Sequence, residues 1–297
     1  MAEKGVGSWT IWTAAAILSG ATALGVWIWS GHHARQIRIA ERQKVCEQYG
    51  IETDGLSPFV ALPRTLIHRS VEAELGRSLY TDARLVRLPY RTCAACHRLN
   101  QGGIDGRCHE GVFTRPVYNA VLGSVFFHDG RETALTNAVR TMIEHGTYGA
   151  GGPLAARVAA LQKDASLVRR FQFAYDEGLT EATVVDALTS YLSTLLTSGM
   201  PLDLWCVGRT DALTEEQKLG MSVFERRRCA DCHDGPALGA RKTAGGRKVA
   251  ALRGLSLRKA YLPDGREPDL GVVLMRMPGG SLEAEERAAL VAFLKAL

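Results

Sequence analysis

The sequence predicts a mostly α-helical protein of two tandem domains, with one transmembrane helix in front of them. Three observations carry that expectation. Apolar residues recur at three- and four-residue spacings, whereas strand-like alternation is scarce. A block of similar residues returns in the same order in each half of the chain. The stretch from Ile11 to Trp29 holds no charged residue, about the length that crosses a bilayer.

The N-terminal element follows from that stretch. Trp9, Trp12, Trp27 and Trp29 flank it, where amphipathic rings favour the membrane interface. Residues 1–31 are therefore expected to be a membrane anchor. The alternative is a signal peptide cleaved after Ala21-Thr22-Ala23, but the apolar run continues through Val26, Trp27 and Ile28. His32, His33, Arg35 and Arg38 after the run oppose the positive-inside rule. Residues 32–65 read as a linker.

The two domains are expected at 66–200 and 201–297. Each holds one pentapeptide of the same type: Cys93-Ala94-Ala95-Cys96-His97 and Cys229-Ala230-Asp231-Cys232-His233. C-x-x-C-H is the pattern of covalent haem c attachment, in which two thiols add to the haem vinyl groups and the histidine binds the iron. Zinc or thioredoxin-like C-x-x-C sites would not require the trailing histidine. The surroundings repeat as well. Leu75-Gly76-Arg77-Ser78-Leu79-Tyr80 precedes the first site and Leu219-Gly220-Met221-Ser222-Val223-Phe224 the second. Asp129-Gly130-Arg131-Glu132 followed by Leu135 is matched by Asp264-Gly265-Arg266-Glu267 followed by Leu270. Two tandem cytochrome c-like domains follow. Covalent haem attachment takes place outside the bacterial cytoplasm, so this part of the chain is expected to face the periplasm, either held at the inner membrane or soluble after signal cleavage.

Helices are expected around the sites. Leu154, Val158, Leu161, Leu167 and Phe171 give one apolar face from Pro153 to Tyr175. Thr180 can cap a helix over Glu181 to Leu196. Thr214 and Gln217 form a capping box, and Ser281 can cap a final amphipathic helix through Leu290, Phe293 and Leu297. Ser198 to Thr210 bears Pro and Gly and reads as the connection between domains. The net charge of +5 omits the haem propionates and says little about partners. The arginines are dispersed and no nucleic-acid motif is present. Cys46, Cys108 and Cys206 are not used by haem, and an exported compartment permits a disulfide among them.

On these residues the chain resembles the bacterial dihaem cytochrome c peroxidases and the related maturase that oxidises methylamine dehydrogenase. The likeness runs from about Leu66 to Leu297. It is carried by Leu75-Gly76 with Leu79-Tyr80, Asp82 and Arg84-Leu85, by the pentapeptides and by Phe127-His128-Asp129-Gly130-Arg131. Lys218-Leu219-Gly220, Asp234-Gly235-Pro236 and Ala260-Tyr261-Leu262-Pro263-Asp264-Gly265 complete it.

The resemblance implies two covalently bound haem c groups and reduction of hydrogen peroxide with electrons from a small donor such as a cytochrome c or cupredoxin. It implies Met277 as distal ligand of the C-terminal haem, with Met275 as substitute. At the N-terminal, peroxidatic haem it implies a removable histidine cap, His109, with His145, Cys108 and Met142 as other candidates. Glu144 matches the family's acid/base glutamate, and Arg131 and Arg266 are candidate propionate partners. The family's calcium pattern is not recognisable, and His128 stands where relatives hold an aromatic residue. A non-catalytic electron-transfer subunit of a membrane complex, or oxidation of another substrate through high-valent haem, are the alternatives.

Overall fold

The computed structural model describes residues 59–64, 70–86, 92–105, 108–109, 112–145, 151–243, 246, 248–262, 265–278 and 281–297, with backbone only at 70, 108, 109 and 112. The expected anchor at 1–31 lies outside these residues, as do most of the expected linker, Cys46, Pro263 and Asp264. Among the described residues no helix is long and apolar enough to cross a membrane.

The mostly helical expectation holds. The helices are α1 (Ser70–Tyr80), α2 (Cys93–Cys96), α3 (Leu135–Glu144), α4 (Leu154–Leu161), α5 (Ala165–Ala174), α6 (Glu181–Thr194), α7 (Pro201–Cys206), α8 (Glu215–Arg226), α9 (Leu270–Met275) and α10 (Ala284–Leu294). Among the described residues the only sheet is an antiparallel pair, β1 (Cys108–His109) and β2 (Val112–Phe113), with Cys108 opposite Phe113.

Two apolar clusters organise the chain. The first joins Leu75, Leu79 and Tyr80 of α1 to Val139 and Ile143 of α3, Leu154 of α4, Phe171 of α5 and Val184, Leu188 and Tyr191 of α6. The second joins Leu202 and Trp205 of α7 to Met221 and Phe224 of α8, Leu270 of α9 and Leu290 and Phe293 of α10. The repeat seen in sequence reappears as packing. A Cβ on Gly76 would overlap the Ala187 carbonyl of α6, and one on Gly220 would overlap the Ala289 carbonyl of α10. Beside each contact, one turn on, an aromatic pair closes edge to face: Tyr80 with Tyr191 at 5.2 Å and Phe224 with Phe293 at 5.8 Å. Both helix pairs thus use a bare glycine backbone to bring their axes close.

Three sequence expectations are corrected. The apolar face from Pro153 to Tyr175 is two helices, because the Asp164 side chain accepts from the amides of Ser166 and Leu167 and starts a new one. The Pro- and Gly-bearing connection at 198–210 carries a helix that its weak periodicity does not show: it contains α7, in which Leu202 and Trp205 are fully buried. The final helix starts after Glu283, whose capping box with Glu286 replaces the cap expected from Ser281. The Thr180 cap and the Thr214–Gln217 box are present as expected.

One feature was not visible in the sequence. Phe59 is buried between the rings of Phe224 and Phe293, 5.5 and 5.3 Å away. Nearby, the fully buried Arg253 pairs with Asp203 at 2.8 Å and donates to the Val60 carbonyl. Asp203 also accepts from the Leu62 amide at 2.9 Å. Residues 59–62, inside the expected linker, are therefore a strap across the C-terminal core.

Candidate functional site

The first pentapeptide begins where Thr92, in extended conformation, leads into the single turn of α2. The His97 amide donates to the Cys93 carbonyl at 2.8 Å, so both cysteines and the histidine lie on one helical turn. The Tyr80 hydroxyl of α1 donates to the His97 carbonyl at 2.5 Å, tying this turn to the core. The second pentapeptide forms a 3-10 turn over Cys229–Asp231, and the His233 amide donates to the Cys229 carbonyl at 2.9 Å.

The two imidazoles are held alike. His97 Nδ1 is 3.0 Å from the Arg115 carbonyl and 3.4 Å from that of Gly103. His233 Nδ1 is 3.2 Å from the Leu238 carbonyl. A carbonyl can only accept, so Nδ1 carries the proton and Nε2 keeps its lone pair. Burial lowers the pKa of both rings and so favours the neutral form that binds a metal. Burial also raises the thiols, Cys93 to about 11 and Cys229 upward. Each pentapeptide thus offers two unbridged cysteines beside one neutral imidazole, the groups that covalent haem c attachment uses. The residues present therefore fit covalent haem at both sites.

The turn beyond each pentapeptide is also duplicated. Phe126 bridges to Glu132 and Tyr261 to Glu267, and Phe127 and Leu262 share a left-handed backbone, φ 61° and 65°. Glu132 accepts from the Thr141 hydroxyl at 3.0 Å, and Glu267 lies 3.5 Å from the guanidinium of Arg276, the matching position. By this register Met142 in α3 corresponds to Met277 after α9.

The other expected residues fall as follows. Glu144 ends α3; its Oε1 accepts from the Leu154 amide at the start of α4 at 3.1 Å and lies 3.5 Å from Arg140. His145 caps α3. His109 and Cys108 form β1, and their side chains lie outside the described residues. Met277 is 39% exposed and Met275 64% exposed, the latter with Arg287 3.6 Å from its sulfur. Arg131 pairs with Asp129 at 3.2 Å and covers the Phe127 ring at 4.1 Å. Arg266 is exposed. His128 accepts from the Arg115 guanidinium at 2.8 Å.

Sequence reasoning missed Arg115, Lys248 and Arg258: the Arg115 carbonyl holds His97 Nδ1, and the Arg115 charge is felt by both Lys248 and Arg258. They are far apart in the chain and belong to no motif, so nothing in the sequence marked them.

A mostly helical chain with two such histidine-anchored C-x-x-C-H turns defines a dihaem c-type cytochrome. The family model for di-haem cytochrome c peroxidases matches residues 70–211, just under half of the chain. It is 31% identical to the cytochrome c peroxidase Ccp of Escherichia coli strain K12, over 81% of this chain and 61% of that protein. It therefore spans about three fifths of that relative's length. It is 28% identical to cytochrome c551 peroxidase of Nitrosomonas europaea, over 76% of this chain and 79% of that protein. Among solved structures, a MauG-like protein associated with microbial copper homeostasis superimposes with a TM-score of 0.66 at 18% identity, covering 83% of this chain and 94% of that one. That likeness is one of fold.

Proposed function

We propose that this protein reduces hydrogen peroxide to two waters, using two electrons from a small donor, a cytochrome c or cupredoxin, and two protons. The observation that carries this reading is the pair of neutral, carbonyl-anchored histidines, each on a C-x-x-C-H turn, in a chain that this family's model matches. Haem bound at the two turns would supply the iron that binds peroxide and the store of electrons.

Cys93, Cys96 and His97 would hold the peroxidatic haem; Cys229, Cys232, His233 and Met277 would hold the electron-entry haem. Glu144 would take the proton from the inner oxygen of peroxide and return it to the outer one, so that water departs. Arg140 lies 3.5 Å from it and pairs more closely with Glu181, at 2.6 Å. His109 would cap the first haem at rest and leave on activation. Arg131 and Arg266 are placed at matched positions of the two turns as candidate carboxylate partners.

The family's location and the haem chemistry support a periplasmic site of action; the charge-free run at 11–29 supports a retained anchor. Membrane fractionation of the full chain separates an anchored form from a cleaved, soluble one.

The deciding measurement is spectroscopy of the half-reduced protein with and without hydrogen peroxide. A high-spin first haem and rapid donor oxidation are expected. Two low-spin haems inert to peroxide in every redox state would instead make the protein an electron carrier. The register in which Met142 corresponds to Met277 supports that second reading, in which Met142 would be a fixed ligand of the first haem. Oxidation of another substrate, as in the maturase, would appear as peroxide-dependent spectral change without donor turnover.

A further inference from the structure

We propose that Arg115, Lys248 and Arg258 form a carboxylate-binding cluster between the two haem sites, and that the carboxylates it receives are haem propionates. The inference rests on the dihaem reading and adds to it the residues that neutralise the cofactor.

Each cation is tied to a proximal histidine through short backbone links. The Arg115 carbonyl holds His97 Nδ1. Lys248 and Arg258 belong to the segment that follows the second pentapeptide, whose Leu238 and Ala250 backbone groups interact with His233. The Arg258 guanidinium donates to the Ala251 carbonyl at 3.3 Å and to the Arg253 carbonyl at 3.0 Å. The Lys248 ammonium donates to the Phe127 carbonyl. A Cβ on Gly102, in the loop after His97, would touch the Leu257 carbonyl and the Arg258 amide, so the second half packs on the first haem's loop there.

All three cations are half-buried, and the Arg115 charge lowers the pKa of both Lys248 and Arg258. Burial is the larger cause in both cases, bringing Lys248 down to about 8 and Arg258 to about 10. Among the described residues none of the three is in an ion pair with a carboxylate. Asp129, the one acid that acts on Lys248, is already paired with Arg131 and is mostly exposed. His128 accepts from Arg115 and brings no negative charge. Three half-buried like charges that no described carboxylate neutralises are costly unless a ligand supplies anions. A haem brings two carboxylates to each pentapeptide. Because the cations come from both halves, the propionates would also bind the halves together.

The test is a reductive titration of the mature dihaem protein, followed at the Soret band, for wild type, Lys248→Met, Arg258→Gln and Arg258→Lys. Removing a cation favours the more positive oxidised iron. The reduction equilibrium of at least one haem should therefore fall about tenfold per charge, about 59 mV for a one-electron couple. Arg258→Lys, which keeps the charge, should stay near wild type. Unchanged potentials in Lys248→Met with full haem content would overturn the proposal, and this variant carries the test if Arg258→Gln does not mature. Inorganic phosphate titrated at constant ionic strength gives the second arm. Wild-type potentials that ignore phosphate support propionates, whereas a phosphate-dependent shift lost in the variants would assign the cluster to a diffusible anion and overturn the proposal. Loss of the Soret band in wild type would sink the dihaem reading itself, a separate outcome.

Discussion

The imidazole N–H of His97 spends its only proton on a backbone carbonyl, and so does that of His233. That single choice leaves the other nitrogen of each ring ready for iron and fixes the ring's orientation. Glu144 is less simply placed, because the same oxygen that could carry a proton also accepts the Leu154 amide at the start of α4. The two roles separate by substitution. Glu144→Gln keeps a carbonyl oxygen for that amide but cannot exchange a proton at neutral pH, so peroxide turnover should fall at least ~100-fold with both haems retained and the melting temperature unchanged. Glu144→Ala should lose the helix start as well and destabilise the protein by about 1 kcal/mol. Equal activity of Glu144→Gln and wild type would remove the residue from the mechanism. For Met277, replacement by His should lower the potential of one haem by on the order of 0.1 V or more, within the roughly 0.8 V that axial ligands span. Met275→Ala should leave both potentials in place, since that side chain is turned out to solvent against Arg287. At this scale the pentapeptides were legible because covalent chemistry demands fixed spacing. The three clustered cations were not, because residues 115, 248 and 258 meet only through the tertiary fold.

Two helix pairs, α1 with α6 and α8 with α10, show how the duplication acts above single residues. In each, glycine faces the partner's carbonyl and an aromatic ring one turn on packs edge to face with its partner. Gly76→Ala and Gly220→Ala should each push two helices apart and cost about 1–3 kcal/mol or more, read as a lower urea midpoint. Alanine is the better helix former by about 1 kcal/mol, so a gain in stability would show that the axes are not held at contact. The repeat of Leu-Gly-x-Ser and the helices over 181–196 and through Phe293 were visible in the sequence, but their pairing was not, since Ala187 with Tyr191 and Ala289 with Phe293 carry no motif of their own. The break between α4 and α5 escaped for a different reason. The apolar spacing runs in phase across it, and only the side-chain acceptor of Asp164 reveals that a new helix begins.

At the scale of the whole molecule, segments that read as connections carry core residues. The strap at 59–62 precedes the first apolar cluster in sequence yet packs on the second through the buried Phe59, with Leu62 buried as well, and α7 fills the region that reads as a connection. Apolar periodicity cannot show this, because a four-residue strap has no period and Asp203 and Arg253 look like surface charges until their partners are known. Their pairing is buried and shared with the Val60 and Leu62 backbone, so the strap is held both by Phe59 in the aromatic cluster and by polar contacts at its other end. Phe59→Ala should remove a ring packed on two others and cost about 3–5 kcal/mol. Because Phe59 touches Phe224 and Phe293 but belongs to no haem turn, the loss should appear as a lower melting temperature, with the Soret spectrum of the folded protein unchanged at low temperature. A further consequence separates the strap from a passive tail: Arg253→Met, which leaves Asp203 buried without its partner, should destabilise by about 3–5 kcal/mol, whereas the double variant Arg253→Met with Asp203→Leu should recover much of that loss. If the single and double variants were equally unstable, the charge pair would not be what holds the strap. The loss would then have to be assigned to the apolar packing of Phe59 and Leu62 alone.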